Sequence, residues 1–181
     1  MHKLLPKLFI FLDKYNNHIF NNNNTNIGVI YRNYKDPKRE IELIKIAKAC
    51  KKKRYKLFVS NNVKLALKVK ADGIYIPAFN KKCSFLNLEN KNLILLGSAH
   101  NQLEINNKIS QKCKAIFLSP TFYVKKKNYF LGIHKFNFLS RTRKIKYFAL
   151  GGILNNNISS IKLLNASGFG GIRLFQKKTG L

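Results

Sequence analysis

Eight short apolar runs punctuate the chain, with polar or helix-like stretches between them. They are Leu8–Leu12, Ile27–Arg32, Lys56–Ser60, Gly73–Ile76, Leu93–Leu96, Ala115–Ser119, Ile145–Leu150 and Gly170–Phe175. Their nearly continuous apolar character fits parallel strands buried on both faces. Ile41, Leu43, Ile44, Ile46, Ala47 and Cys50 recur at helical spacing and predict a helix with a broad apolar face. Asp36-Pro37 supplies its N-cap and first-turn proline, and Lys51–Arg54 suits its negative end. Asn61-Asn62 predicts the cap of a helix over 63–70, and Asn101 the cap of one reaching Lys112. Further helical patterns run from near Ile133 through Leu139 and over Asn155–Asn165. Cys83–Asn90 is a weak helix or irregular, and the asparagine-rich Asn16–Asn26 reads as loop. Strands alternating with helices imply parallel βαβ units, and eight of them close a (β/α)8 TIM barrel. At 181 residues the chain is short for that fold. The missing length falls where the first and last helices belong, so both are expected to be reduced. A doubly wound open sheet is the alternative.

In a parallel barrel the chemistry sits at the carboxyl ends of the strands. The tips here carry Arg32, Ser60-Asn61, Tyr75 with Pro77, Ser98 with His100, Ser119-Pro120, Gly151-Gly152 and Arg173. Hydroxyls, amides, a histidine and arginines suit an anion held by charge-assisted hydrogen bonds. The glycine pair would let backbone N–H groups approach a phosphate, and Lys125-Lys126-Lys127 would add positive charge. A tight turn beside a solvated basic loop accounts for the same residues. Likewise His100 serves equally as the start of a helix, and Arg32 and Arg173 as rim residues. Only seven carboxylates exist, and of these only Asp13 directly follows a strand. A paired-carboxylate mechanism and a magnesium site are both poorly supplied. The four histidines show no metal-ligand spacing, and Ser98 has no Ser-His-Asp partner set.

Composition changes this picture little. Hydrophobic residues make up 45% of the chain, which places it among globular proteins, and residues 1–181 are expected to form one domain. The net charge of +28 invites a nucleic-acid reading. The lysines are spread over the whole chain, however, and no basic stripe with interleaved aromatics marks a specific nucleic-acid surface. The charge should still attract anionic substrates. Cys50, Cys83 and Cys113 form no C-x-x-C pair, which argues for a reducing compartment and against zinc. No stretch approaches the ~20 apolar residues of a membrane span, and the amino terminus is too short in apolar residues for a signal segment. The expectation is a cytoplasmic protein with no membrane partner. Its oligomeric state is left open, a homo-oligomer included.

Several segments, in this order and at these spacings, resemble the thiamine phosphate synthase family and its relative, the thiazole tautomerase TenI. Ala71-Asp72-Gly73-Ile74-Tyr75-Ile76 is similar to the family's A-D-G-V-H-L, and Ser98-Ala99-His100 to its S-x-H. Phe117–Phe122 is similar to its G-P-x-F segment, and Ala149-Leu150-Gly151-Gly152-Ile153 to its A-x-G-G-I. The resemblance implies a (β/α)8 barrel that joins hydroxymethylpyrimidine pyrophosphate to a thiazole phosphate and releases pyrophosphate, with magnesium held by two aspartates. It places Arg32 on the arginine of the family's Q-x-R-x-K, with Tyr34 at its lysine. It places Ser98 on a serine that contacts pyrophosphate, Lys127 (or Lys125 or Lys126) on the lysine of T-x-T-K, and Gly151-Gly152 on the thiazole-phosphate loop. Ser98 and Lys127 are thus the catalytic candidates. Arg32, Ser60, Asn61, Asn80, His100, Gly151, Gly152 and Arg173 are the substrate-binding ones. The metal aspartates fall on Asn61 and Asn80, so the usual magnesium ligands are absent and no metal ligand is assigned; no cofactor is certain, and magnesium stays possible. The tautomerase histidine falls on Pro120. A barrel that binds thiamine-related phosphates without joining them is the alternative. Positive side chains, Arg32 and the three lysines, are expected to take over part of the metal's role; a decayed diphosphate site is the alternative.

Overall fold

In the computed structural model, residues 4–21, 26–34, 36–82, 92–125, 127–141 and 145–171 are described. Eight parallel strands follow one another around a closed ring. They are β1 (Leu8–Leu12), β2 (Ile27–Tyr31), β3 (Lys56–Ser60), β4 (Gly73–Ile76), β5 (Ile94–Ala99), β6 (Ala115–Leu118), β7 (Lys146–Leu150) and β8 (Gly168–Gly171). Leu8 pairs with Ile27 on one side and with Phe169 on the other, so the sheet has no edge. This is the (β/α)8 barrel, and the open-sheet alternative is excluded.

The barrel is filled mainly by aromatics. Phe9, Phe11, Ile30, Phe58, Tyr75, Leu96, Ala115, Phe117 and Phe148 form its interior cluster. Phe9 stands edge-on to both Phe117 and Phe148, with ring centroids 5.1 Å away in each case. Such edge-to-face pairs are favoured by the ring quadrupoles. Burying each ring stabilises by about 1.5–3 kcal/mol. Small residues opposite make the room. A Cβ on Gly28 would lie 2.4 Å from the Phe9 ring, and one on Gly170 would lie 2.8 Å from Phe11. The outer faces of the strands, with Val29, Val59, Ile74, Leu95, Ile116 and Ala149, pack against the helices as a second, larger cluster.

The helices are α1 (Asn17–Phe20), α2 (Arg39–Lys53), α3 (Val63–Lys68), α4 (Gln102–Ser110) and α5 (Gly132–Leu139). The first is a single turn, as its reduced length required, but it lies inside a stretch expected to be loop. Asn16 caps it and Ile19 and Phe20 bury, so tertiary burial overrides poor propensity. Asn62 and Asn101 cap α3 and α4 as expected. Asp36 does not cap α2. Its carboxylate accepts from Lys38 N at 2.8 Å in the turn before, and the helix begins at Arg39. The apolar face of α2 is narrower than expected, because Leu43, Ile46 and Cys50 bury while Ile41 and Ile44 stay exposed. The segment after β7 is a 3-10 helix, Ile158–Leu163, with no fully buried residue. β5 runs on through Gly97-Ser98-Ala99, and β8 starts two residues earlier than expected. Cys83–Asn90, the last expected helix and Arg173 lie outside the described residues.

Candidate functional site

The carboxyl ends of the strands open onto a cleft of about 660 Å³. Tyr75, Ser98, Ser119 and Leu150 line it from the strand ends. Arg32 and Tyr34 after β2, Phe79 after β4, His100 after β5 and Lys127 after β6 line it from the loops. The structure therefore brings Arg32, Ser98, His100 and Lys127 together around one cleft. Ser60 joins them indirectly, through a 2.6 Å hydrogen bond between its Oγ and the Tyr34 hydroxyl.

Each of these groups is held by its neighbours. Arg32 lies 5.8 Å over the Phe11 ring, and its Nε is 4.0 Å from Asp13. The latter pair is exposed and contributes little to stability. His100 donates from its backbone N–H to Glu104 at 2.7 Å, and its Nδ1 meets the same oxygen at 2.8 Å. Glu104 is on the first turn of α4, so the imidazole is pinned by a helix start while it still lines the cleft. Tyr75 is wholly enclosed. Desolvation raises its pKa to about 12, partly countered by a hydrogen bond with Ser98 and by Arg32. Tyr34 is raised for the same first reason. Both phenols are thus neutral hydrogen-bonding groups at ordinary pH. Lys127 is exposed, with its ammonium 5.8 Å over the Tyr129 ring.

Gly151 and Gly152 line a second recess of about 300 Å³, together with Tyr123, Val124, Lys125, Ile153, Leu154, Gly170 and Gly171. Leu150 borders both recesses. The loops after β6 and β7 are laced together: Thr121 N donates to Leu150 O, Phe122 N to Gly151 O, and Leu150 N to Thr121 Oγ1. The glycine pair has φ of 86° and 73°. At Gly152 the space a side chain would need is filled by the Phe122 carbonyl, 2.3 Å from an added Cβ. One face of the pair is thus spent on the neighbouring loop and not on a ligand. Lys126 lies outside the described residues.

Asn61 and Asn80 sit beside the cleft and face one another. Asn80 Nδ2 donates to Asn61 Oδ1, and Asn80 Oδ1 accepts from Lys82 N at 2.9 Å. Magnesium demands a near-octahedral oxygen shell and usually one or two carboxylates. Here each amide oxygen already accepts a hydrogen bond and neither carries charge. Among the described residues no cluster of three His, Cys, Asp or Glu side chains could hold a metal. The donor set does not fit magnesium.

Sequence reasoning did not name Phe79, and it placed Asp13, Tyr34, Tyr75 and Ser119 near the strand ends without assigning them to the cleft. Alternation within β4 was the available signal for Tyr75, because Gly73 and Tyr75 must share a face. Phe79 gave no signal, since its position depends on a loop.

The fold defines a barrel of the class whose ligand sites are built from the loops after its strands, here with adjoining recesses at the tips of β2 to β8. Comparison with known proteins narrows that class. A family model described as thiamine monophosphate synthase matches residues 25–175, and the chain belongs to this family. A thiamine-phosphate synthase of Prochlorococcus marinus subsp. pastoris is 35% identical over 124 residues, covering 67% of this chain and 35% of that protein. The matched stretch thus spans about a third of that relative's length. A putative thiamine-phosphate synthase of Aquifex aeolicus is 29% identical over 143 residues, covering 76% of this chain and 77% of that one. Thiamine phosphate pyrophosphorylase from Pyrococcus furiosus superposes with a TM-score of 0.75 at 17% identity, over 94% of this chain and 88% of that one, which supports the fold. Among the described residues, no helix is long and apolar enough to cross a membrane.

Proposed function

We propose that this chain acts in thiamine biosynthesis as a transferase that joins hydroxymethylpyrimidine diphosphate to thiazole phosphate. The thiazole nitrogen bonds to the pyrimidine's methylene carbon, the bond from that carbon to the diphosphate oxygen breaks, and pyrophosphate leaves. The observation that carries this reading is the pair of adjoining recesses that share Leu150. Two phosphorylated substrates reacting at one carbon need two anion ends and a common wall. In this reading Arg32, Ser98, His100 and Lys127 receive the diphosphate, with Ser60, Asn61 and Asn80 at its edge. Gly151 and Gly152 receive the thiazole phosphate, and Arg173 is kept as a substrate-binding candidate. Tyr34 and Phe79, with ring centroids 6.1 Å apart, flank the cleft that takes the planar pyrimidine.

The positive side chains stand in for the charge that magnesium supplies elsewhere, so no step is routed through a metal. The whole chain is read as one cytoplasmic barrel domain with small-molecule partners. A second reading, a barrel that binds these phosphates without joining them, is favoured by the mutual pairing of Asn61 and Asn80. Growth rescue of a strain lacking thiamine phosphate synthase separates the two. Rescue that is lost on Arg32→Met supports the transferase. No rescue, together with calorimetric binding of thiazole phosphate, supports the binding barrel. Absence of both sinks both readings.

A further inference from the structure

Lys108 on α4 has no solvent exposure, and among the described residues it is the only lysine or arginine in the core. The chain makes room for it. A Cβ on Gly97 of β5 would lie 2.8 Å from Lys108 Cδ and 2.9 Å from its Cγ. The ammonium donates to Asn80 O at 2.6 Å and to Gln111 Oε1 at 2.8 Å. Gln111 Nε2 in turn donates to Asn80 O at 3.0 Å and to Lys82 O at 2.8 Å. All of these acceptors are neutral. Glu104, one turn earlier on α4, is held by His100 and acts on Lys108 only through its charge, while burial lowers the Lys108 pKa. A buried cation hydrogen-bonded only to amides is costly, and an apolar residue of the same volume would usually be no worse for stability. Its burial calls for a use.

Its position supplies one. The ammonium is fixed to the main chain of Asn80, the residue whose side chain faces Asn61 beside the cleft. A charge inside the protein is screened far less by salt than one on the surface, so its field reaches the cleft edge. We propose that Lys108 is a positioning residue that locks the loop after β4 and, through its buried charge, fits the Asn61–Asn80 edge to a diphosphate free of divalent metal. The same fixed charge opposes a metal cation at that edge, in keeping with the loss of carboxylates there. This rests on the diphosphate reading of the cleft and adds the form in which the diphosphate binds.

The test is calorimetric titration with inorganic pyrophosphate, in chelator and in excess magnesium. The unaltered protein binds the metal-free form more tightly than the magnesium complex. Lys108→Met weakens the metal-free form about tenfold or more and changes the magnesium complex by less than about threefold, which inverts the preference. A merely structural latch would weaken both forms alike, and that result overturns the proposal. Asn80→Asp, which leaves the core intact, checks it independently: with Lys108 in place the new carboxylate creates no magnesium requirement. A strict magnesium requirement in Asn80→Asp overturns the role of Lys108 and leaves the diphosphate reading standing. Failure of the unaltered protein to bind either form overturns both.

Discussion

Gly152 and Gly132 differ in one respect that a pair of substitutions isolates. Both have positive φ, 73° and 65°. An added Cβ at Gly132 meets nothing closer than 3.9 Å, whereas at Gly152 it lies 2.3 Å from the Phe122 carbonyl oxygen and 2.6 Å from that of Tyr123. Gly132→Ala therefore carries only the left-handed backbone cost, about 1 kcal/mol. Gly152→Ala adds the displacement of the loop after β6, which breaks one or two of its hydrogen bonds to the β7 tip, for a total of about 3 kcal/mol. In a chain of this size that lowers Tm by roughly 2–4 °C for Gly132→Ala and 6–12 °C for Gly152→Ala. Urea unfolding followed by circular dichroism gives the same comparison as a midpoint shift at constant slope. Thiazole phosphate binding by calorimetry falls about tenfold or more in Gly152→Ala and is unchanged in Gly132→Ala. Equal stability losses would show that the loop is not pressed onto Gly152 and would remove the physical basis of the second recess.

Three further outcomes are expected. Tyr75 and Tyr31 have pKa values raised to about 12 by burial; each therefore holds its proton more tightly folded than unfolded, so the stability they contribute is intact below pH 10 and is lost between pH 10 and 12. Ultraviolet titration should show these phenols ionising only with unfolding, and a tyrosinate signal at pH 10 that accounts for every tyrosine in folded protein would refute it. Asn101→Ala removes the side-chain cap on Glu104 N, 2.9 Å away, and should cost about 1 kcal/mol in urea unfolding; no change would mean that the cap is frayed in solution. With 35 lysines and arginines spread over the chain, binding to an oligonucleotide should be weak and fall steeply between 50 and 200 mM salt in a filter assay. Sequence-selective binding that survives physiological salt would overturn the small-molecule reading.

The barrel was legible because buried parallel strands leave apolar runs that no surface element mimics. The strands fell within a few residues of their expected bounds, the largest difference within the described residues being the end of β5, and β8 begins two residues early because Gly168 and Phe169 look like turn and core at once. The caps at Asn62 and Asn101 were legible because they act on residues three positions away. The site was legible only at strand ends. Arg32 and Gly151 follow their strands directly and Ser98 lies near the end of β5, so a nearly correct strand placed them. Tyr34 and Phe79 stand on loops whose path is set by tertiary contacts, such as the hydrogen bond between the Tyr34 hydroxyl and Ser60 at the end of β3. Lys108 was hidden for the opposite reason. It shares the buried face of α4 with Ile105, but in a helix as polar as this one a single lysine looks like any other, and the room left by Gly97 shows only in the structure.

The aromatic filling of the barrel also restricts how such a sequence can change. The Phe9 ring occupies the volume that any side chain at position 28 would need. Alanine at 28 is therefore barred while phenylalanine stands at 9, and a smaller residue at 9 leaves a hole while glycine stands at 28. Each change is harmful alone, and the two together restore the volume. The order of steps is fixed as well, since a hole of this kind costs a few kcal/mol whereas a ring forced 2.4 Å from a methyl carbon must move the strand. Position 9 has to shrink before position 28 can grow. The two sites are thus expected to behave as one heritable unit, and the same holds for Phe11 with Gly170.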